Sequence, residues 1–394
     1  MSALSQATTR SSFLPFHVPD IGEEEVAAVV ETLRSGWLTT GAKVQQFEAL
    51  FATYVGARHA VALNSGTAAL HLALEAVGVR EGDEVIVPTM TFAATGEVVA
   101  YLKATPVLVD CEPDTLNLDA AQLERLITPK TRAIIPVHHG GQPCDLNPIL
   151  EVARRHQVSV IEDAAHALPA AYEGRPIGSI GDITCFSFYA TKTITTGEGG
   201  MATTNREDYA DRIRMMSLHG ISRDAWKRYT ADGTWRYDIL EAGYKYNLTD
   251  LAAALGLEQL KKCDRFRDRR RLIASRYSEA FAGIPGLAPP PCRPNRERAW
   301  HLYVLQVDQS RARISRDRMI ERLKADRIGS SVHFIPLHLH SYYRQRFGYQ
   351  PDDFPRATAA FERIVSLPIF PSMTDRDVSD VIEAVGRTMA EGSD

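Results

Sequence analysis

The sequence predicts an α/β protein with a mostly parallel sheet of seven strands flanked by helices. Short apolar runs bounded by turn residues alternate with helical patterns, which is typical of such a sheet. Polar clusters also follow several of these runs directly, where sheets of this class bind ligands. The seven runs are residues 59–63, 84–87, 106–109, 133–137, 159–161, 183–188 and 201–203.

Two amphipathic helices are predicted ahead of the sheet, over residues 19–34 and 44–54, with the loop SGWLTTG between them. The polar residues 1–12 are predicted to be disordered. After the last run the pattern changes, and residues 249–282 predict one long helix with a possible break near Cys263.

The remaining chain predicts a second, smaller unit. Strands are expected over 301–307, 331–335 and 364–367, with helices capped by Ser315 and Thr374. We therefore expect a large domain over residues 13–250 and a smaller C-terminal α/β domain over 251–394, linked by the long helix.

Composition excludes several classes of function. The 394 residues carry a net charge of −4, which argues against binding to nucleic acid or to an anionic membrane surface. Five cysteines without a CxxC pattern predict reduced thiols in a cytoplasmic protein. We find no signal peptide and no apolar run long enough to span a membrane. The histidines lack companion cysteines, so no metal site is expected.

Lys192 is the first candidate for chemistry. It lies in DITCFSFYATKTITTGEGG, residues 182–200, where an apolar run gives way to a glycine-rich loop. Lysine forms Schiff bases, and a desolvated lysine acts as nucleophile and base near neutral pH. The alternative is an ordinary solvated loop lysine.

A phosphate site is predicted after the first run, in NSGTAAL at residues 64–70. Amide groups at a helix N-terminus bind anions, and Gly66 would let a phosphate approach closely. The alternative is a plain helix cap by Ser65 or Thr67. Ser187, five residues before Lys192, could donate to the same phosphate.

Two further clusters follow strands. Phe92, in PTMTF, could cover an aromatic ring or could be a core residue. EDAAHA, residues 162–167, places Asp163 where it could pair with a cationic ring nitrogen, with His166 near the same ring; the alternative is capping of the next turn. Together these groups supply what pyridoxal 5′-phosphate requires.

The motifs SGT, TF, EDAAHA, SFYATK, TTGEGG and GYKYNLTD, in this order, resemble the nucleotide-sugar aminotransferases among fold-type I pyridoxal-phosphate enzymes. The resemblance runs from FLPF at 13–16 to the Leu367-Pro368 segment. SGWLTTG, IIPVH and GYKYNLTD are most similar to UDP-4-amino-4-deoxy-L-arabinose–oxoglutarate aminotransferases.

The resemblance implies a role for each motif residue. Lys192 would form the Schiff base, Asp163 would pair with the pyridine nitrogen, and His166 would lie beside the ring. Phe92 would stack on the ring, and the phosphate ligands would be Ser65, Gly66, Thr67 and Ser187. Asn247 would reach the phosphate of the neighbouring subunit in a homodimer, although Lys245 stands where many relatives carry asparagine.

The resemblance also implies the partners, L-glutamate and a nucleotide-linked keto sugar, with UDP expected and the ketone at C4. The product would be a 4-amino sugar for surface polysaccharide, lipid A or natural-product glycosylation. Phe92 and Gly66 depart from the tryptophan and alanine of the pentose enzymes, so pentose and 6-deoxyhexose both stay open. Substrate contacts are expected from the loops 35–41, 138–143 and 333–340 and from GYKYN. The candidates are Trp37, Thr40, His139, Lys245, His333 and His338.

Alternatives with the same fold are a 3-keto sugar aminotransferase and a sugar dehydratase, but the dehydratases replace the lysine by histidine. A non-catalytic homologue would be expected to lose Lys192 or Asp163, and both are present.

Overall fold

The computed structural model describes residues 10–222 and 237–391. Most of the predicted disordered N-terminus lies outside these residues. The strands are β1 His59–Leu63, β2 Glu84–Pro88, β3 Thr105–Val109, β4 Thr131–Ile134, β5 Ser159–Asp163, β6 Ala171–Tyr172, β7 Arg175–Pro176, β8 Ile183–Ser187, β9 Gly200–Thr204, β10 Leu287–Ala288, β11 Arg296–Glu297, β12 Tyr303–Val307 and β13 Ile364–Leu367.

The central sheet has seven strands in the order β1-β9-β8-β5-β4-β2-β3. β9 runs antiparallel to both of its neighbours, and the other pairs are parallel. All seven predicted strands are therefore confirmed. The fourth ends earlier than predicted, at Ile134, because Pro136 has no amide hydrogen to continue the ladder.

Helices cover both faces of this sheet. The α-helices are α1 Glu23–Ser35, α2 Ala42–Val55, α3 Gly66–Ala76, α4 Ala93–Tyr101, α5 Leu123–Leu126, α6 Leu146–His156, α7 Glu207–Ser217, α8 Asp250–Phe281, α9 Gln309–Ala312, α10 Arg316–Ala325, α11 Ser341–Phe347, α12 Pro355–Phe361 and α13 Asp375–Glu391. None of those described combines the length and the apolar character needed to cross a bilayer.

The long helix α8 is continuous over 32 residues, so the possible break near Cys263 does not occur. The Cys263 side chain is fully buried, and the Tyr54 hydroxyl donates to Asp264 Oδ1 at 2.9 Å. Both contacts hold the middle of the helix against α2. The charged residues Lys261, Asp264, Arg265 and Asp268 are exposed on the other side of the helix.

A second sheet of three strands, β10-β12-β13, lies beyond α8. The prediction of a strand over 331–335 is wrong. Of these residues only Ser331 pairs, with Ser366, through amide–carbonyl hydrogen bonds of 3.1 and 2.8 Å. The chain then turns towards the central sheet and carries His333 and Phe334 to a cavity. Ser315 and Thr374 cap their helices as predicted.

Buried apolar residues form three clusters. Two of them cover opposite faces of the central sheet, and the third lies between the small sheet, α10, α13 and the end of α8. Helix α8 contributes to the first cluster through Ala253 to Phe266 and to the third through Ile273 to Phe281. Helix α8 therefore packs with both predicted domains. The domain division at residue 250 stays a proposal.

Candidate active site

A cavity of about 480 Å³ lies between the two sheets. The carboxyl ends of β5 and β8 and the start of α3 form its base, and residues around 301, 333 and 369 close it from the other side. It brings together Ser65, Gly66, Thr67, Phe92, Asp163, His166, Ser187, Lys192 and His333. These residues come from five separate segments, and the topology of the sheet collects them.

Lys192 projects into this cavity from the loop between β8 and β9. The loop is closed at its base, where the Phe188 amide donates to the Gly199 carbonyl at 2.9 Å and Thr196 N donates to Phe188 O at 3.0 Å. In residues 10–222 and 237–391, no hydrogen bond or ion pair reaches the Lys192 amine. Burial lowers its pKa to about 8, against the opposing effect of Asp163. The amine is therefore available as nucleophile and base near neutral pH.

Asp163 ends β5 and is only 5% exposed. Its Oδ2 accepts from the Thr95 hydroxyl at 2.8 Å, and its Oδ1 accepts from the Ala165 amide at 3.1 Å. Burial raises the pKa of this carboxyl, while Ala165, Thr95 and Lys192 oppose the rise. A cationic donor in the cavity would find a carboxylate already oriented.

Thr95 was not predicted from the sequence. It lies in the first turn of α4, and its hydroxyl also contacts the Thr91 hydroxyl at 2.8 Å. Both hydroxyls are buried and line the cavity. The signal in the sequence was the spacing of Thr91 and Thr95 in TMTFAAT. Residues four apart at the start of a helix place their hydroxyls on one face.

The neighbouring Glu162 serves a different purpose. Its Oε2 pairs with His138 Nε2 at 2.9 Å, and its Oε1 accepts from Gly181 N and the Thr184 hydroxyl. Burial opposes its charge, but the His138 contact and these donors hold its pKa below the usual value. Glu162 therefore ties β5 to its neighbours, and only Asp163 faces the cavity.

His166 is held by rings on several sides. Its ring stacks on Phe334 at 5.8 Å with an angle of 17° and lies 4.4 Å from the His301 ring. The Gly140 amide donates to His166 Nδ1 at 3.3 Å, which leaves the proton on Nε2. Burial lowers the pKa of His166 well below its usual value, so the ring is neutral.

The start of α3 presents an anion site. Ser65 is the N-cap, and its hydroxyl oxygen accepts from Ala68 N at 3.0 Å. The amides of Gly66 and Thr67 have no acceptor within the described part of the chain. A methyl group on Gly66 would lie 2.9 Å from Ser187 Cβ, so glycine lets α3 approach β8 closely. The cap and the anion site thus coexist.

Phe92 is 61% exposed, which excludes the core alternative. Its ring centroid lies 5.9 Å from that of Phe334, which the sequence did not point to. The two rings stand at the rim of the cavity, where a flat ligand would pack against Phe92.

Comparison with known proteins identifies the family of this chain. Residues 19–386 match the model of the DegT/DnrJ/EryC1/StrS aminotransferase family. The chain belongs to this family. It is a sugar aminotransferase with the fold-type I architecture and uses pyridoxal 5′-phosphate.

Similar proteins include the spore coat polysaccharide biosynthesis protein SpsC of Bacillus subtilis, 54% identical over 98% of this chain and 99% of that protein. Spr1654 of Streptococcus pneumoniae, solved in its PMP form, has a TM-score of 0.91 at 38% identity and covers 96% of this chain and 100% of its own. Its PLP form has a TM-score of 0.90. PseC of Helicobacter pylori, an aminotransferase of pseudoaminic acid biosynthesis, has a TM-score of 0.89 at 27% identity over 97% and 100% of the two chains.

The cavity of this sugar aminotransferase fits the cofactor. The free amides of Gly66 and Thr67 suit its phosphate, the Asp163 carboxylate suits its ring nitrogen, and the Lys192 amine suits its aldehyde. Within the described ranges no cluster of His, Cys, Asp or Glu is placed to hold a metal ion.

Cofactor loading should depend on pH. The Lys192 amine must be neutral to attack the aldehyde, and its pKa is lowered to about 8. Below that value the amine is protonated, so the rate of covalent attachment to the cofactor-free protein should fall about tenfold for each pH unit. Stopped-flow absorbance over a pH series on both sides of 8 measures this. A midpoint near the ordinary lysine value would contradict the burial of Lys192.

Four candidate residues of the aminotransferase lie outside the cavity in this chain, around the loop before α2. Trp37 Nε1 donates to the Thr40 carbonyl at 3.1 Å, and Asn247 Nδ2 donates to the Thr40 hydroxyl at 2.7 Å. Lys245 Nζ donates to Asn247 Oδ1 at 2.5 Å. Trp37 and Lys245 are at the surface, and none of the four residues lines the cavity of its own chain.

Two histidine candidates occupy supporting positions. His338 is buried, and its nitrogens contact the Thr89 hydroxyl at 2.7 Å and the Thr358 hydroxyl at 3.0 Å. Both of its ring nitrogens are therefore engaged, and His338 does not line the cavity. His139 is buried behind the wall, where its Nε2 donates to the His333 carbonyl at 3.0 Å. It positions His333 instead of lining the cavity.

Proposed function

We propose that this enzyme transfers the amino group of L-glutamate to the C4 ketone of a UDP-linked keto sugar. One observation carries the proposal. The Lys192 amine, which has no partner among the described residues, shares one cavity with the oriented Asp163 carboxylate. The bound cofactor would supply a cationic ring that accepts the electrons of the substrate carbanion. The product would be a 4-amino sugar for a surface polysaccharide or a related glycoside.

Each residue has a distinct part in the proposed reaction. Lys192 would remove the α-proton of the amino donor as a base and would then return a proton as an acid. The negative charge of Asp163 would keep the ring nitrogen of the cofactor protonated. The Thr95 hydroxyl and the Ala165 amide hold this carboxylate in place. The neutral His166 ring, held by Phe334, would lie beside the ring of the cofactor.

The sugar assignment rests on the named roles of relatives. SpsC is a polysaccharide biosynthesis protein, and PseC serves pseudoaminic acid biosynthesis. The assignments of the nucleotide linkage and of the C4 position rest on the resemblance in sequence.

A panel of UDP- and dTDP-linked sugars with ketones at C4 or C3 tests this proposal. The enzyme is incubated with L-glutamate and each sugar, and the products are analysed by mass spectrometry and NMR. We expect amination of a UDP-linked 4-keto sugar. Amination of 3-keto sugars alone would refute the C4 assignment, and loss of water without gain of nitrogen would indicate a dehydratase.

We propose further that the enzyme is a homodimer in which Asn247 acts in the partner's site. Asn247 does not line the cavity of its own chain and contacts Thr40 and Lys245. A two-fold dimer would bring this segment to the neighbouring phosphate, with each subunit reciprocating.

Mixed dimers of Lys192→Ala and Asn247→Ala subunits should recover activity. If Asn247 acts in trans, one site of each mixed dimer keeps both residues, so an equal mixture should reach about a quarter of wild-type turnover. Turnover is measured after subunits are exchanged by mild denaturation and refolding. Each parent treated alone is the control, and a mixture as inactive as its parents would show that Asn247 acts in cis.

A further inference from the structure

Arg270 is a buried arginine without an acidic partner. It lies in α8, is 0% exposed, and forms no ion pair with any described residue. One guanidinium nitrogen, Nη1, donates to the carbonyls of Ile369 at 2.7 Å, His301 at 3.2 Å and Trp300 at 3.4 Å. Its Nε and Nη2 have no partner within the described ranges. A buried unpaired cation is costly, which suggests that an anion compensates it during function.

The position of Arg270 relates it to the cavity. Two of the residues whose carbonyls it binds, His301 and Ile369, line the cavity. The guanidinium therefore lies directly behind that wall. His17 completes this part of the wall, and the Lys192 amine reaches the same cavity.

The wall itself carries little charge that could neutralise Arg270. Burial lowers the pKa of His17 to about 3 and that of His301 well below its usual value. Both rings are therefore neutral, and His17 Nε2 and His301 Nδ1 have no partner in the described structure. Arg270 keeps its proton, because burial lowers its pKa only to about 10. Its field thus extends through neutral rings into the cavity.

We propose that Arg270 is a specificity-determining residue that selects an amino donor with a second carboxylate. The side-chain carboxylate of the donor would lie against the wall of His17 and His301, within the field of the guanidinium and without touching it. This inference rests on the proposed use of L-glutamate and adds the residue that distinguishes it from neutral amino acids.

Glutamate and glutamine separate this role from a structural one, because they differ only in the charge and hydrogens of the distal group. The conversion of the holoenzyme by each amino acid is followed by absorbance without any sugar. We expect wild type to prefer glutamate over glutamine in kcat/KM by about a hundredfold. Arg270→Gln should reduce that preference about tenfold, mainly through the KM for glutamate, and Arg270→Lys should restore it.

Arg270→Gln is chosen because an amide can still donate to the Ile369 carbonyl while removing the charge. Arg269→Gln is the matched control, since Arg269 is its neighbour in α8 but pairs with Asp375 at 3.0 Å. This control should keep the wild-type preference. If Arg270→Gln slows both amino acids equally, the residue is structural and the proposal is overturned.

A binding measurement keeps the proposal testable even if Arg270→Gln fails to fold. Calorimetry compares glutarate with its monoamide, glutaramate, on the wild-type holoenzyme at constant ionic strength. We expect glutarate to bind about tenfold more tightly. Equal affinities would overturn the proposal. Neither measurement uses a nucleotide sugar, so their outcome is independent of the sugar panel.

Discussion

Lys192→Ala should abolish turnover. The Lys192 amine lies in the cavity, has no competing partner in the described residues, and has its pKa lowered to about 8. Replacing it removes the covalent attachment of the cofactor and the group that moves the α-proton. Proton transfer by a positioned side chain alone contributes about 100-fold to 10,000-fold. We expect turnover to fall by at least about 10,000-fold. The visible absorbance of the covalently attached cofactor should also be lost.

Lys261→Ala is the control for this substitution. Lys261 is exposed and pairs with Glu258 at 2.6 Å. It does not line the cavity. That variant should keep both turnover and absorbance. An absorbance band that persists in Lys192→Ala would mean that another lysine holds the cofactor.

Asp163→Asn should reduce turnover on the order of a thousandfold, with the fold retained. The amide has nearly the same shape, and its oxygen can still accept from the Ala165 amide, as Asp163 Oδ1 does at 3.1 Å. It has no charge, so it cannot hold a proton on the ring nitrogen. Single-turnover kinetics with L-glutamate measures the effect directly. Turnover close to wild type would disprove the assignment of Asp163.

Glu162→Gln separates this loss from general damage to β5. The Cys144 amide donates to His138 Nδ1 at 3.0 Å, so His138 Nε2 carries the proton given to Glu162. Because Oε1 already accepts from Gly181 and Thr184, the new amide NH₂ would face another donor. We expect a cost of about 2–3 kcal/mol in the free energy of unfolding. Turnover per folded molecule should stay near wild type.

The alternation of apolar runs and helical patterns was sufficient to predict the seven strands of the central sheet. It failed where long-range contacts decide the structure. Residues 331–335 have the composition of a strand, but only Ser331 pairs and Phe334 packs on His166. The middle of α8 looks interrupted by charge, yet α2 supports it through Tyr54.

The site could be predicted where its residues follow strands in short motifs. Lys192, Asp163 and Gly66 are of this kind, because the carboxyl ends of strands meet at one edge. His17, His301 and Phe334 reach the cavity from segments with no local signal, and tertiary packing alone brings them there. The sequence could not show which histidines have other partners. Both ring nitrogens of His338 contact the hydroxyls of Thr89 and Thr358.

The uninterrupted α8 has a consequence for how the molecule melts. Its first half is part of the apolar cluster against the central sheet, and its second half is part of the cluster around the small sheet. If either cluster lost its packing, one half of α8 would be exposed. The other cluster needs the same helix to stay folded. Thermal denaturation should therefore be one cooperative event, with a single calorimetric peak whose van't Hoff and calorimetric enthalpies agree. Two resolved peaks would show that the helix can fray from one side alone.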